Sequence, residues 1–146
     1  MKPAAAVFVY NMADTDAACA ASAAFDIPLT VWMREDTAAG YGAAVIGWIF
    51  AIARAAHPEA AVRVAVDCGD APGLALALMR RGIDRVSLVG SEAMLTRVAA
   101  IAAGYGAALA PVPPDALDLL GVDNPKKACA SWLARFHNGS REPHGE

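Results

Sequence analysis

The chain has 146 residues, 57% of them hydrophobic and 18% charged, with a net charge of −3. That length suits one domain with one core, and the lack of any lysine or arginine stripe excludes nucleic acid as a partner, since phosphate binding needs concentrated positive charge. Charge this sparse, against roughly 25% in an ordinary soluble domain, leaves apolar surface that a second copy of the chain is expected to cover.

Three cysteines, Cys19, Cys68 and Cys129, are too few and too scattered for a disulfide framework. Their odd count leaves at least one free, and a reducing cytoplasm is the expected setting. At the N-terminus, the apolar run Pro3 to Tyr10 is interrupted by Asn11, Asp14 and Asp16 too early for a secretory leader. The longest uncharged stretch, Thr37 to Ala53, is shorter than a membrane span and is interrupted by Gly40, Gly42 and Gly47. A buried or interface helix is expected there, and no membrane partner.

In chain order, residues 4–10 read as a short strand, followed by a turn and an alanine-rich helix over 15–25. "PLTVWM", 28–33, is a second strand. "REDT" ends it, and a long helix follows to Ala56, stopped by His57 and Pro58. "VRVAVD", 62–67, is the third strand. A helix over 71–81 ends at Gly82, with Asp70 as its expected cap. "RVSLVG", 85–90, is the fourth strand, 91–103 a helix, and "AALAPV", 107–112, a fifth strand. Beyond the stiff "PVPPD", Asn124 caps and Pro125 opens a last helix that carries Cys129, Trp132, Leu133 and Phe136 on one stripe and packs back on the body. Residues 1–136 therefore read as one α/β domain with a packing helix over 124–136, and 137–146 as a disordered tail.

The strands are near-continuous apolar runs, as a covered parallel sheet requires. The expected fold is an α/β parallel sheet of four to five strands with flanking helices, either half-barrel-like or an open three-layer sandwich. Right-handed crossovers bring all strand C-terminal ends to one rim, where such proteins bind ligands. Asp67 stands at the end of the third strand, where an acid has no structural task, and is expected to move a proton. Cys68 beside it is a second catalytic candidate, although a neighbouring carboxylate raises a thiol's pKa. Its alternative role is packing. Arg34 suits an anionic group or an internal ion pair.

The histidines His57, His137 and His144 lack ligand spacing, and no metal site is expected. There is no phosphate loop with a G-K-[ST] ending, and Gly40-x-Gly42 is an incomplete dinucleotide fingerprint. The sequence leaves any cofactor open.

The segments "VFVYN", "DIPLTVWM", "AVRVAVDCG", "RRGIDRVSLVGS" and "IAAGYGAAL" together resemble the first half of class II, metal-dependent ketose-bisphosphate aldolases. The resemblance covers about residues 4–110. It pairs Tyr10-Asn11 with an aromatic-Asn strand end and Asp67-Cys68-Gly69 with Asp-His-Gly or Asp-His-Cys. It also pairs Gly82 to Val86 with a Gly-Phe-x-x-Val turn and Gly90-Ser91 with a Gly-Ser strand end. It implies a (β/α)₈-type fold, with Asp67 as the acid/base carboxylate and Cys68 in place of a metal-binding histidine. "AALAPVP" offers no counterpart to the family's glutamate ligand. A barrel of that kind closes with eight strands, so a sheet of four or five is expected to stay open or to be completed by a second chain.

The functional expectation is a small aldolase-like lyase or isomerase acting on a carbonyl or phosphorylated small molecule. Asp67 and Cys68 are its catalytic candidates, and Asn11, Arg34 and Ser91 its substrate-binding ones. The alternatives are a non-catalytic oligomeric assembly protein derived from a half barrel and a flavodoxin-like nucleotide-binding domain.

Overall fold

The structure, a computed structural model, describes residues 5–141. Among these residues six parallel strands form one sheet in the order β5-β4-β3-β2-β1-β6. They are β1 (Ala5–Phe8), β2 (Leu29–Met33), β3 (Val62–Asp67), β4 (Arg85–Ser87), β5 (Ala108–Leu109) and β6 (Leu117–Asp118). The helices are α1 (Met12–Phe25), α2 (Glu35–Tyr41), α3 (Ala43–Ala56), α4 (Pro72–Arg80), α5 (Glu92–Gly104) and α6 (Pro125–Arg141).

Strands β1 to β5 lie side by side in chain order, so every right-handed crossover falls on the same face. Side-chain alternation separates the two faces. Val7 and Val9, Val31 and Met33, Val64 and Val66 join Phe50, Leu78, Cys129 and Leu133 in the large core under the helices. Ala6, Phe8, Trp32 and Ala65 face the other way, into a smaller cluster that includes no helical residue. That second face is covered by Ala110, Val112 and Ala116, from the strap that carries the chain from β5 across to β6. The sheet is therefore open: helices on one side, a proline-containing strap on the other.

β6 was not expected. It runs beside β1, with Val7 opposite Leu117 and Phe8 opposite Asp118. The order is that of a barrel cut once, between β5 and β6. The doubly wound flavodoxin-like arrangement, order 2-1-3-4-5, is not formed. The last helix packs against α1 with Cys129 and Leu133 buried, and Trp132 meets Phe136 edge-on at 5.3 Å. It starts as expected, with Asn124 Oδ1 accepting the Lys127 amide at 3.1 Å. Its backbone runs on to Arg141, past the boundary at 136. Residues 142–146, the rest of the expected tail, lie outside the described residues.

Two local expectations are corrected. The helix after β3 starts at Pro72 with Ala71 in the cap position, so Asp70 is exposed and caps nothing. The proline, with its fixed φ, sets the start. The long helix after β2 is two helices, α2 and α3, bent by 100° at Gly42. Gly42 sits at φ +81, where a side chain is strained. Among the described residues no single helix is long and apolar enough to cross a membrane.

A Cβ at position 42 has nothing within 4 Å, so Gly42→Ala isolates the backbone term. It should lower the unfolding free energy by about 1–2 kcal/mol, read from urea denaturation with an unchanged m-value. No loss of stability would mean that the bend does not need the left-handed conformation.

Candidate functional site

The strand C-terminal ends form one rim. At β1 the chain turns into α1 through a reciprocal cap: Asn11 Oδ1 accepts the Asp14 amide at 2.8 Å, and Asp14 Oδ2 accepts the Tyr10 amide at 3.0 Å. Asp14 is 5% exposed, and burial pushes its carboxyl above the usual carboxylate range. This cap holds the Tyr10 backbone fixed. The Tyr41 hydroxyl, at the end of α2, donates to the Tyr10 carbonyl at 2.7 Å and holds it from the other side.

Tyr10, two residues beyond Phe8, points to the strap side of the sheet. Arg34 follows Trp32 at the same spacing on β2. The guanidinium lies over the Phe8 ring, 3.8 Å from its centroid. Its Nε donates to the Tyr10 hydroxyl at 3.0 Å, and its Nη2 meets Asp118 Oδ2 at 3.0 Å. The Tyr10 hydroxyl in turn donates to Asp118 Oδ1 at 2.6 Å, and that oxygen also accepts the Leu120 amide at 3.0 Å. Three strands thus meet in one closed polar triangle.

Its electrostatics are consistent with that geometry. Burial and the bond to Asp118 raise the Tyr10 pKa. The hydrogen bond to Tyr10, reinforced by Asp118, raises that of Arg34. Burial pushes the Asp118 carboxyl up, but the donors Tyr10, Leu120 and Arg34 outweigh it and hold the group below its ordinary range.

Asp67 lies next along the rim. One step beyond the last paired residues Met33 and Val66, Arg34 and Asp67 leave their strands side by side, and Asp67 pairs in register with Ser87 on β4. Asp67 is two residues beyond Ala65 and so shares its face. The side chain is partly buried, and its Oδ1 accepts the Gly69 amide at 3.0 Å, an Asx-type turn. Among the described residues Oδ2 accepts no protein hydrogen bond. Gly69 has φ +56, a backbone conformation that strains any side chain, so the turn that orients Asp67 favours glycine.

A shallow cavity of about 370 Å³ opens beside Ser87, lined by Leu88, Leu95, Leu109, Ala110 and Pro111. A larger cleft, about 580 Å³, lies at the opposite end of the sheet between the starts of β1, β2 and β3, and among the described residues Arg63 is the single ionisable side chain that lines it. The chemistry-bearing groups are at the rim, so volume alone does not locate a site here.

Of the residues expected to form a site, the structure brings Arg34 and Asp67 onto neighbouring strand ends. Asn11 and Ser91 are on the rim, but each side-chain oxygen caps a helix, Ser91 by accepting the Met94 amide at 3.2 Å. Cys68 points the other way, into the helix-side core at 1% exposure. Burial, with help from Asp67 and Glu35, pushes its thiol up to about 12. The structure thus places Cys68 in the core packing, away from the face that Asp67 shares with Ala65. Tyr10 and Asp118 were not singled out from the sequence as site residues. Tyr10 stood in a motif, but Asp118 gains its meaning only from its place beside β1.

The fold and rim define an open, all-parallel α/β protein whose polar groups gather at the strand C-terminal ends. No protein-family profile and no curated protein matches the chain. Among solved structures, that of a provisionally assigned fructose-1,6-biphosphate aldolase from Coccidioides immitis matches 73% of this chain at a TM-score of 0.55 and 18% identity. The match covers 44% of that protein, less than half its length. The chain thus has an aldolase-like fold. Its donor set does not fit a divalent metal: Cys68 faces the core, and no group of three or more His, Cys, Asp or Glu side chains converges among the described residues.

The depressed Asp118 pKa sets the sign of an acid effect. A carboxylate whose pKa is lower folded than unfolded stabilises the fold above its unfolded value, near pH 4, and that gain is lost as pH falls through the folded value. Asp118 is 38% exposed, so solvent screening keeps the gain small. In urea denaturation at pH 2 to 6, wild type should exceed Asp118→Asn above about pH 4, with the gap closing toward pH 2. A gap independent of pH would contradict this.

Proposed function

We propose that this chain is a small aldolase-like lyase or isomerase that works on a carbonyl or phosphorylated small molecule at the strand C-terminal rim. Asp67 is the proton-transfer group. Its uncommitted Oδ2, held in place by the Gly69 amide on Oδ1, is the single observation that carries this reading. A carboxylate with one oxygen oriented and the other open can take a proton from a carbon next to a carbonyl and return it. Arg34, one strand away, offers the remaining donors of its fork to an anionic group. Ser87 supplies a hydroxyl at the mouth of the adjacent cavity. Cys68 has no part in the chemistry, and no step runs through a metal.

A second reading is favoured by α3. Val45, Trp48 and Ile52 project from its outer side at 39%, 67% and 40% exposure, and Arg54, the one charge on the helix, is turned to Asp84 at 3.3 Å. An apolar stripe of this kind suits self-association. A homo-oligomer and the enzyme reading are compatible.

Two measurements test these readings. Proton-NMR exchange in D₂O across a panel of small hydroxy-ketones and their phosphates should show protein-dependent loss of the α-proton signal. Asp67→Asn should slow it by about 10²- to 10⁴-fold with the fold intact; equal rates in both proteins would remove Asp67 from the mechanism. Sedimentation equilibrium should show wild-type association that Trp48→Glu abolishes. A wild-type monomer at all concentrations would exclude the oligomer.

A further inference from the structure

We infer that Arg34 is an anion site already occupied by an internal anion, Asp118, and that a bound ligand's phosphate or carboxylate takes that carboxylate's place. The inference rests on the proposed function only in taking Arg34 to face the ligand. Three features of the structure support it. The Arg34 and Asp118 side chains are 42% and 38% exposed, so their contact is open to exchange with solutes. The guanidinium is fixed by groups other than Asp118: Phe8 stacks beneath it and the Tyr10 hydroxyl accepts from Nε. Losing Asp118 therefore leaves an oriented fork, not a loose side chain.

The third feature is that Asp118 can swing without dismantling its strand. The backbone of β6 is anchored separately. The Leu119 amide donates to the Phe8 carbonyl at 3.1 Å, and the Leu119 side chain is 2% exposed in the core. The carboxylate has to rotate and release the Tyr10 hydroxyl and the Leu120 amide from Oδ1, and solvent is next to it to receive it. Asp67 and Glu35 keep the surroundings negative, so an anion is held by direct contact with Arg34 and not by a broad positive field. Asp118 thus sets a threshold. A ligand must displace an equivalent charge, which selects against weakly held monoanions and favours groups that engage the fork with two oxygens.

The test is titration with inorganic phosphate at constant ionic strength, followed by amide chemical shifts of the full chain. Asp118→Asn should bind phosphate about fivefold more tightly than wild type, the size of an exposed ion pair. Adding Arg34→Gln to it should abolish saturable binding. Should that double variant fail to fold, Arg34→Lys in the Asp118→Asn background should weaken binding without abolishing it. Equal affinity in wild type and Asp118→Asn would overturn the inference, as would saturable binding that survives the change to Gln, Lys binding as well as Arg, or no binding by Asp118→Asn. This result is separable from the proposed chemistry. Asp67-dependent proton exchange with no effect at Asp118 leaves the catalytic reading standing, and the reverse outcome removes that reading but keeps the internal anion.

Discussion

Arg34 binds together parts of the chain that have no local reason to meet. It reaches back 24 residues to Tyr10 and forward 84 to Asp118. The two-residue β6 has little ladder of its own, and its place beside β1 is reinforced by the Arg34–Asp118 and Tyr10–Asp118 contacts and by the buried Leu119. Placing β6 there also determines where the strap runs, and the strap covers Phe8 and Trp32 on the face that the helices leave bare. A half-exposed ion pair contributes little by itself. Its effect here is local: it holds the Asp118 side chain against Arg34 and Tyr10 at the rim, while Leu119 anchors the backbone beside β1.

What remains available is Asp67. Arg34 turns to Asp118 instead of to its strand neighbour, so the Asp67 carboxylate is not neutralised from that side. Its turn uses one oxygen and leaves the other. An open parallel sheet can place such a group at its rim without enclosing it, which is consistent with the shallow cavity beside Ser87. The likeness to an aldolase concerns the fold. The chemistry proposed for this chain rests on Asp67 and Arg34 themselves.

The architecture was largely legible in the sequence because its signals are local. Apolar runs of five or six residues such as "LTVWM" and "VRVAVD" mark buried parallel strands, and Asn124 marks a helix start through its capping oxygen, whereas Asn11 and Ser91, read as substrate-binding, use theirs to cap helices. The same preference misled where another constraint was stronger: Pro72 fixed the start of α4, and Asp70 lost its cap. The site was legible only in half. Asp67 and Arg34 stand out because strand ends need no charge. Asp118 is hidden in "ALDLL" behind a run of prolines, and nothing near it in the chain reveals that it will face Tyr10. Cys68 shows the opposite case: adjacency in sequence put it beside Asp67, while the alternation of a strand sent it to the other face.

The Arg34–Tyr10–Asp118 triangle is tested most directly by carbon-detected NMR titration of the Asp118 side-chain carboxyl in wild type, Arg34→Gln and Tyr10→Phe. Asp118 should titrate below the ordinary carboxylate range in the wild type and move upward in both variants. An ordinary wild-type titration, or one that neither substitution shifts, would show that the triangle does not form and that the rim is not organised as described.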